Sequence, residues 1–132
     1  MIKLLVILCA SLLVTAVTLA QDIPSNHAQK TLEIYRSIVE VDTSKTKKNT
    51  LGVANYLAGE LREAGFSEED IEVIPLGDFA SLVARYRGDE ASVKKPILFL
   101  GHMDVVEANA SDWQRPPFQL TEDDVNFYAR GT

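Results

Sequence analysis

Between Asn26 and Val41 the apolar residues Leu32, Tyr35, Ile38 and Val39 return at intervals of three and four, which places them on one face of a helix. Ser25, just after Pro24, stands where a cap is wanted, so the first helix is expected from Asn26 to Val41 with one side against a packed surface. The polar, basic run "VDTSKTKKNT" follows. A second helix is expected from near Thr50, with Val53, Leu57, Leu61 and Ala64 on its inner face and Gly65 closing it in a left-handed conformation. After "SEED", which reads as a solvated turn, three segments look extended: Ile71 to Leu76, the alternating "FASLVARYRG", and Pro96 to Gly101. In the last, Ile97 to Leu100 are apolar without alternation, the pattern of a strand covered on both faces. Helices and buried strands together predict a layered α/β sheet. The tail "PPFQLTEDDVNFYARGT" predicts a hairpin, with Phe118 and Leu120 on one arm, a turn at Glu122 to Asp124, and Val125 to Tyr128 on the other.

The first twenty residues, "MIKLLVILCASLLVTAVTLA", have another character: one early lysine, an unbroken apolar stretch from Leu4, and a small residue, Ala20, at its end. This is the pattern of a secretory leader, cleaved near Gln21, in preference to an uncleaved anchor. Residues 21–132 then form the mature part, secreted or periplasmic, with no stable membrane insertion. The sequence carries 13 basic against 19 acidic residues, a net charge of −6, and loss of Lys3 with the leader makes it more negative. Such a surface repels phosphate backbones, which argues against a nucleic-acid partner. The single cysteine, Cys9, leaves with the leader, so the mature part rests on packing without disulfides.

Candidate chemistry gathers at "KPILFLGHMDVV". His102 and Asp104 stand two apart at the end of the expected buried strand, so in extended backbone they project to one side. Ligands of open α/β sheets bind at the carboxyl ends of strands. A histidine there can ligate a metal while a carboxylate holds its other ring nitrogen. Gly101 gives a ligand close access to the backbone, whereas His27, beside the first helix cap, reads as a surface residue. By itself a His-x-Asp pair recurs by chance and more often marks a structural histidine than a metal ligand; the polar residues that follow the apolar run without a turn dipeptide shift the balance toward a site. No Gly-x-Ser-x-Gly, no phosphate loop and no cysteine nucleophile is present in the mature part, and neither "SEED" nor "TEDD" has the pattern of a calcium loop. Asn109-Ala110-Ser111 matches a glycosylation acceptor.

Three stretches in order, "ILFLGHMDVV", "DWQRPPFQLTED" and "FYARGT", resemble the dizinc aminoacylase/carboxypeptidase family of metallopeptidases, which includes acetylornithine deacetylase, succinyl-diaminopimelate desuccinylase and carnosine-type dipeptidases. The resemblance runs from about His27 to Thr132. It implies the amino-terminal part of a layered α/β zinc-peptidase catalytic domain, with the lid domain and the rest of the site lying outside this chain. It further implies two zinc ions in the complete protein, His102 as a metal ligand, and Asp104 as the catalytic-site carboxylate that orients its imidazole. The family's bridging aspartate would fall two positions past Thr132, and Ala129 replaces the usual first glycine of the second metal motif.

The activity implied is hydrolysis of an amide in a small peptide or N-acyl amino acid, with the 132 residues inactive alone and homodimerisation possible through a lid domain. Two other readings stay open at this point. One is a noncatalytic secreted binding or interaction module using the same half-sheet, and the other is an adhesion or ligand-binding domain in which His102 is structural.

Overall fold

A computed structural model of the protein describes residues Ser25–Thr132. The leader expected at residues 1–20, with Cys9 and the expected cleavage site, falls outside the described residues. The described elements are helices α1 (Ser25–Val39) and α2 (Thr50–Glu63), strands β1 (Ile71–Leu76) and β2 (Phe79–Ala84), and short strands β3 (Thr121–Glu122) and β4 (Phe127–Tyr128). Single 3-10 turns occupy Glu68–Asp70 and Ala110–Asp112. No described helix is long and apolar enough to cross a membrane.

The elements settle into two packed units. In the first, α2 lies on the β1–β2 hairpin through Val53, Ala54 and Ala58, all buried. Ala54 and Ala58 are one turn apart on the helix face, and their small side chains let the strands approach closely. Thr50 at the start of α2 accepts a hydrogen bond from the Ala80 backbone N–H at 3.0 Å, tying helix to strand. The helix ends as its sequence predicts. Gly65 has φ +94°, its N–H donates to Arg62 O at 2.9 Å, and the Phe66 N–H donates to Leu61 O at 3.0 Å, which together form a Schellman closure.

β1 and β2 pair antiparallel from Ile71↔Ala84 to Leu76↔Phe79 across a two-residue turn, Gly77-Asp78. Gly77 takes φ +64°, which suits the first position of a type II′ turn. The "SEED" turn is less solvated than its composition suggests. Asp70 is buried and accepts from Arg87 Nε at 2.9 Å and from Arg87 Nη2 at 2.7 Å, and the guanidinium holds its carboxyl below the usual carboxylate range.

The second unit is α1 on the carboxyl-terminal hairpin. Val39, Leu120 and Ala129 form its core, with Leu32, Tyr35 and Ile38 packed around them. Arg36 donates to the Leu120 carbonyl at 3.2 Å, and the Glu40 carboxylate accepts from the Leu120 N–H at 3.1 Å, so one helix turn grips both backbone groups of one residue. Tyr35 meets the Phe127 ring edge-on with centroids 6.0 Å apart. The hairpin itself is displaced from its expected arms, pairing Thr121↔Tyr128 and Glu122↔Phe127. Asp123 causes the shift. Its carboxylate accepts from the Tyr128 hydroxyl at 2.6 Å and from the Val125 and Asn126 N–H groups at 3.0 and 2.9 Å, which places the turn at residues 123–126.

One expectation fails outright. Pro96 to Gly101 is not a buried strand: it has no regular structure, and Ile97, Leu98, Phe99 and Leu100 are 80–93% exposed. A strand exists only where a neighbour satisfies its N–H and C=O groups, and among the described residues no strand pairs with this run. The sheet content is accordingly two separate two-stranded sheets, and the mixture of helices and small sheets is compatible with part of an α/β domain, without the buried central strand that was expected.

Candidate functional site

His102 and Asp104 come together, although the strand expected to present them is absent. His102 Nδ1 lies 2.7 Å from the Asp104 carbonyl oxygen and 3.2 Å from Asp104 Oδ1. A carbonyl can only accept, so Nδ1 carries the proton and donates. In the neutral ring that leaves the Nε2 lone pair free, the state in which imidazole binds a metal. Both side chains are largely exposed, at 82% and 64%.

The backbone that carries them is held from several sides. Thr43 Oγ1 donates to the Met103 carbonyl at 2.7 Å. Thr46 hydrogen-bonds the Glu107 carboxylate, and Arg130 Nε donates to the Val106 carbonyl at 2.8 Å. Gly131, at φ +91°, packs so closely that a Cβ there would stand 2.9 Å from Val105 Cγ1. The segment is thus irregular yet anchored, by the loop after α1 on one side and the chain after β4 on the other.

These anchors were only partly legible in the sequence. Gly131 belongs to the "FYARGT" stretch, and the structure gives its physical reason. Ala129, where a glycine is usual, buries its methyl against Val39 and Leu120. Thr43 was missed, because "VDTSKTKKNT" reads as a polar connector while Thr43 and Ser44 are 2% and 1% exposed. A paired Thr-Ser within a charged run was the available signal. His27 is exposed, as expected.

His102 and Asp104 open onto a groove of about 880 Å³ between α2, the β1–β2 hairpin and residues 100–104. Its walls include Leu57, Leu76, Phe79, Leu82 and Leu100. Apolar walls with a few convergent polar groups are the usual make-up of a small-molecule site.

The fit to a metal is partial. His102 offers one well-oriented nitrogen, but among the described residues no three His, Cys, Asp or Glu side chains gather as a metal-holding group. A zinc site takes at least three protein ligands. The described residues therefore do not by themselves make a metal site, and His102 with Asp104 beside it is the part of one they could contribute.

Comparison with known proteins places relatives beside this geometry. Over 106 aligned positions the chain is 40% identical to a protein of Staphylococcus aureus (strain MRSA252) named "Probable succinyl-diaminopimelate desuccinylase", covering 76% of this chain and 23% of the relative. It is 32% identical over 105 positions to the acetylornithine deacetylase of Buchnera aphidicola subsp. Schizaphis graminum, covering 76% and 26%. It is 27% identical over 107 positions to N-formyl-4-amino-5-aminomethyl-2-methylpyrimidine deformylase of Bacillus subtilis, covering 80% and 25%. The chain spans about a quarter of the length of the curated relatives it matches. No family model and no solved structure matches it.

Proposed function

Because this chain belongs to the aminoacylase/carboxypeptidase family, as its desuccinylase and deacetylase relatives show, we propose that it forms part of a metal-dependent amide hydrolase acting on small N-acyl amino acids or peptides. In this reading His102 ligates one of two zinc ions through Nε2. Asp104 holds the Nδ1 proton with its carbonyl and carboxylate, which fixes the tautomer and the ring plane. When bound, the metal supplies a Lewis acid and an activated water for attack on the amide carbonyl. The groove beside the pair receives the apolar part of the substrate. The remaining ligands and the proton-accepting carboxylate come from beyond the described residues. The apolar Met1–Ala20 stretch supports a further reading, that the protein is exported and matures near Gln21.

The observation that carries this function is the pair of contacts from His102 Nδ1 to the Asp104 carbonyl and carboxylate, at 2.7 and 3.2 Å, which orients the ring with Nε2 open. The test is zinc content by elemental analysis, together with turnover on a panel of N-acyl amino acids and dipeptides, for the full-length protein and its His102→Ala variant. Loss of bound zinc and of turnover in the variant is the expected result. Unchanged zinc and turnover would make His102 structural and end the proposal.

A further inference from the structure

We propose that Thr43 is a positioning residue for His102: its hydroxyl sets the backbone plane from which Asp104 reaches the imidazole. The inference rests on the reading of His102 as a metal ligand for its functional meaning, though not for its geometry.

Met103 stands between the two site residues, and its carbonyl shares one rigid planar peptide unit with the Asp104 N–H. Thr43 Oγ1 donates to that carbonyl at 2.7 Å from a position 60 residues earlier in the chain. Fixing the oxygen fixes the plane. The Asp104 Cα lies in that plane, so only the rotations at Asp104 itself stand between this anchor and the carbonyl and carboxylate that meet the ring. Both Asp104 contacts to the ring, through its carbonyl at 2.7 Å and its carboxylate at 3.2 Å, start from that anchor.

Thr43 can do this because it is itself immobilised. It is 2% exposed, and the loop around it is closed on itself. The Ser44 N–H donates to Asp42 Oδ1 at 3.0 Å, Asn49 Nδ2 donates to the Asp42 carbonyl at 2.9 Å, and the Ser44 carbonyl accepts from the Lys47 and Lys48 N–H groups at 3.0 and 2.9 Å. The imidazole, by contrast, is 82% exposed and has no packing of its own to orient it. Its orientation is therefore delegated to Asp104, and that of Asp104 to a buried hydroxyl with an unusually well-braced base.

The test reads the ring directly. In the metal-free protein, long-range proton–nitrogen spectra of the neutral His102 ring report which nitrogen carries the proton. Wild type and Thr43→Ser, which keeps the donor, are expected to show the Nδ1–H form. Thr43→Val keeps the volume and removes the donor, so the proton redistributes to Nε2 and zinc affinity falls about 10- to 100-fold, as for loss of a ligating histidine's partner. Thr43→Cys, a poor donor of similar size, falls between them and serves if the valine variant does not fold. A folded Thr43→Val or Thr43→Cys protein with the wild-type tautomer would overturn the proposal. Should His102→Ala keep its zinc while Thr43→Val still moves the proton, the metal reading fails and the positioning role stands.

Discussion

At His102, alanine removes the nitrogen offered to a metal, whereas at Asp104 it removes only the carboxylate behind the ring and leaves the backbone carbonyl that also accepts from Nδ1. Asp104→Ala is therefore expected to lower zinc affinity or turnover by about 10- to 100-fold, well short of the near-complete loss at His102→Ala. Asp104→Asn falls closer to wild type, since its amide oxygen and its backbone carbonyl can still accept from Nδ1. Zinc retained after dialysis separates the three. A second carboxylate gives a prediction in pH. The Tyr128 hydroxyl, with the Val125 and Asn126 N–H groups, lowers the Asp123 carboxyl to about 2. A depressed carboxyl favours the folded hairpin above its unfolded value of about 3.9, and that contribution disappears as the pH falls through about 2. The Tyr128 ring resonances should accordingly shift with a midpoint near 2. A midpoint at an ordinary carboxylate value would mean that the Asp123 bonds do not form in solution.

The two helices and the extended stretches of β1 and β2 follow from neighbours in sequence, apolar spacing and Gly65 at a helix end, whereas the Gly77-Asp78 turn that pairs the strands was not read, and the buried face of α2 runs through Ala54 and Ala58 with Ala64 exposed. Those signals located the elements but not how they pair and pack. Ile97–Leu100 was misread because an unalternating apolar run says that cover is favourable without saying what provides it, and among the described residues nothing pairs with it. Thr43 escaped for a related reason, since its partner lies 60 residues away and no local pattern marks such a bond. The His102–Asp104 pair was legible as a pair, yet the hydrogen bond to the Asp104 carbonyl was not, because it needs the actual path of the backbone. At the chain's last anchor the consequence is testable. Gly131→Ala adds a methyl 2.9 Å from Val105 Cγ1 at φ +91°, so it should cost about 1 to 3 kcal/mol in urea unfolding. It should also disturb the Asp104 amide resonance, one residue from Val105. An unperturbed Asp104 signal would show that the anchor does not reach the site.

Across the whole chain, buried apolar surface is unevenly shared. Two small cores are covered, while Ile97, Leu98, Phe99 and Leu100 face solvent. Replacing Leu98 and Phe99 by lysine should therefore reduce binding of a hydrophobic dye to the 132-residue chain and change its unfolding free energy by only about 0.5 kcal/mol or less, the scale of exposed-site substitutions. A large destabilisation would mean that the run is packed after all. The grip of Arg36 and Glu40 on Leu120 has a different kind of consequence, one in time. Those contacts join residues 84 and 80 positions apart, whereas α2, β1 and β2 are neighbours in the chain. On a ribosome adding about 5 to 20 residues per second, α1 waits roughly 4 to 17 s for its partner to be made. During that interval the α2–β1–β2 unit can already close, and α1 presents Leu32, Tyr35, Ile38 and Val39 with nothing to cover them. The amino-terminal helix is the first described element to be synthesised and among the last to be secured, which makes it the natural place for a chaperone to hold the nascent chain.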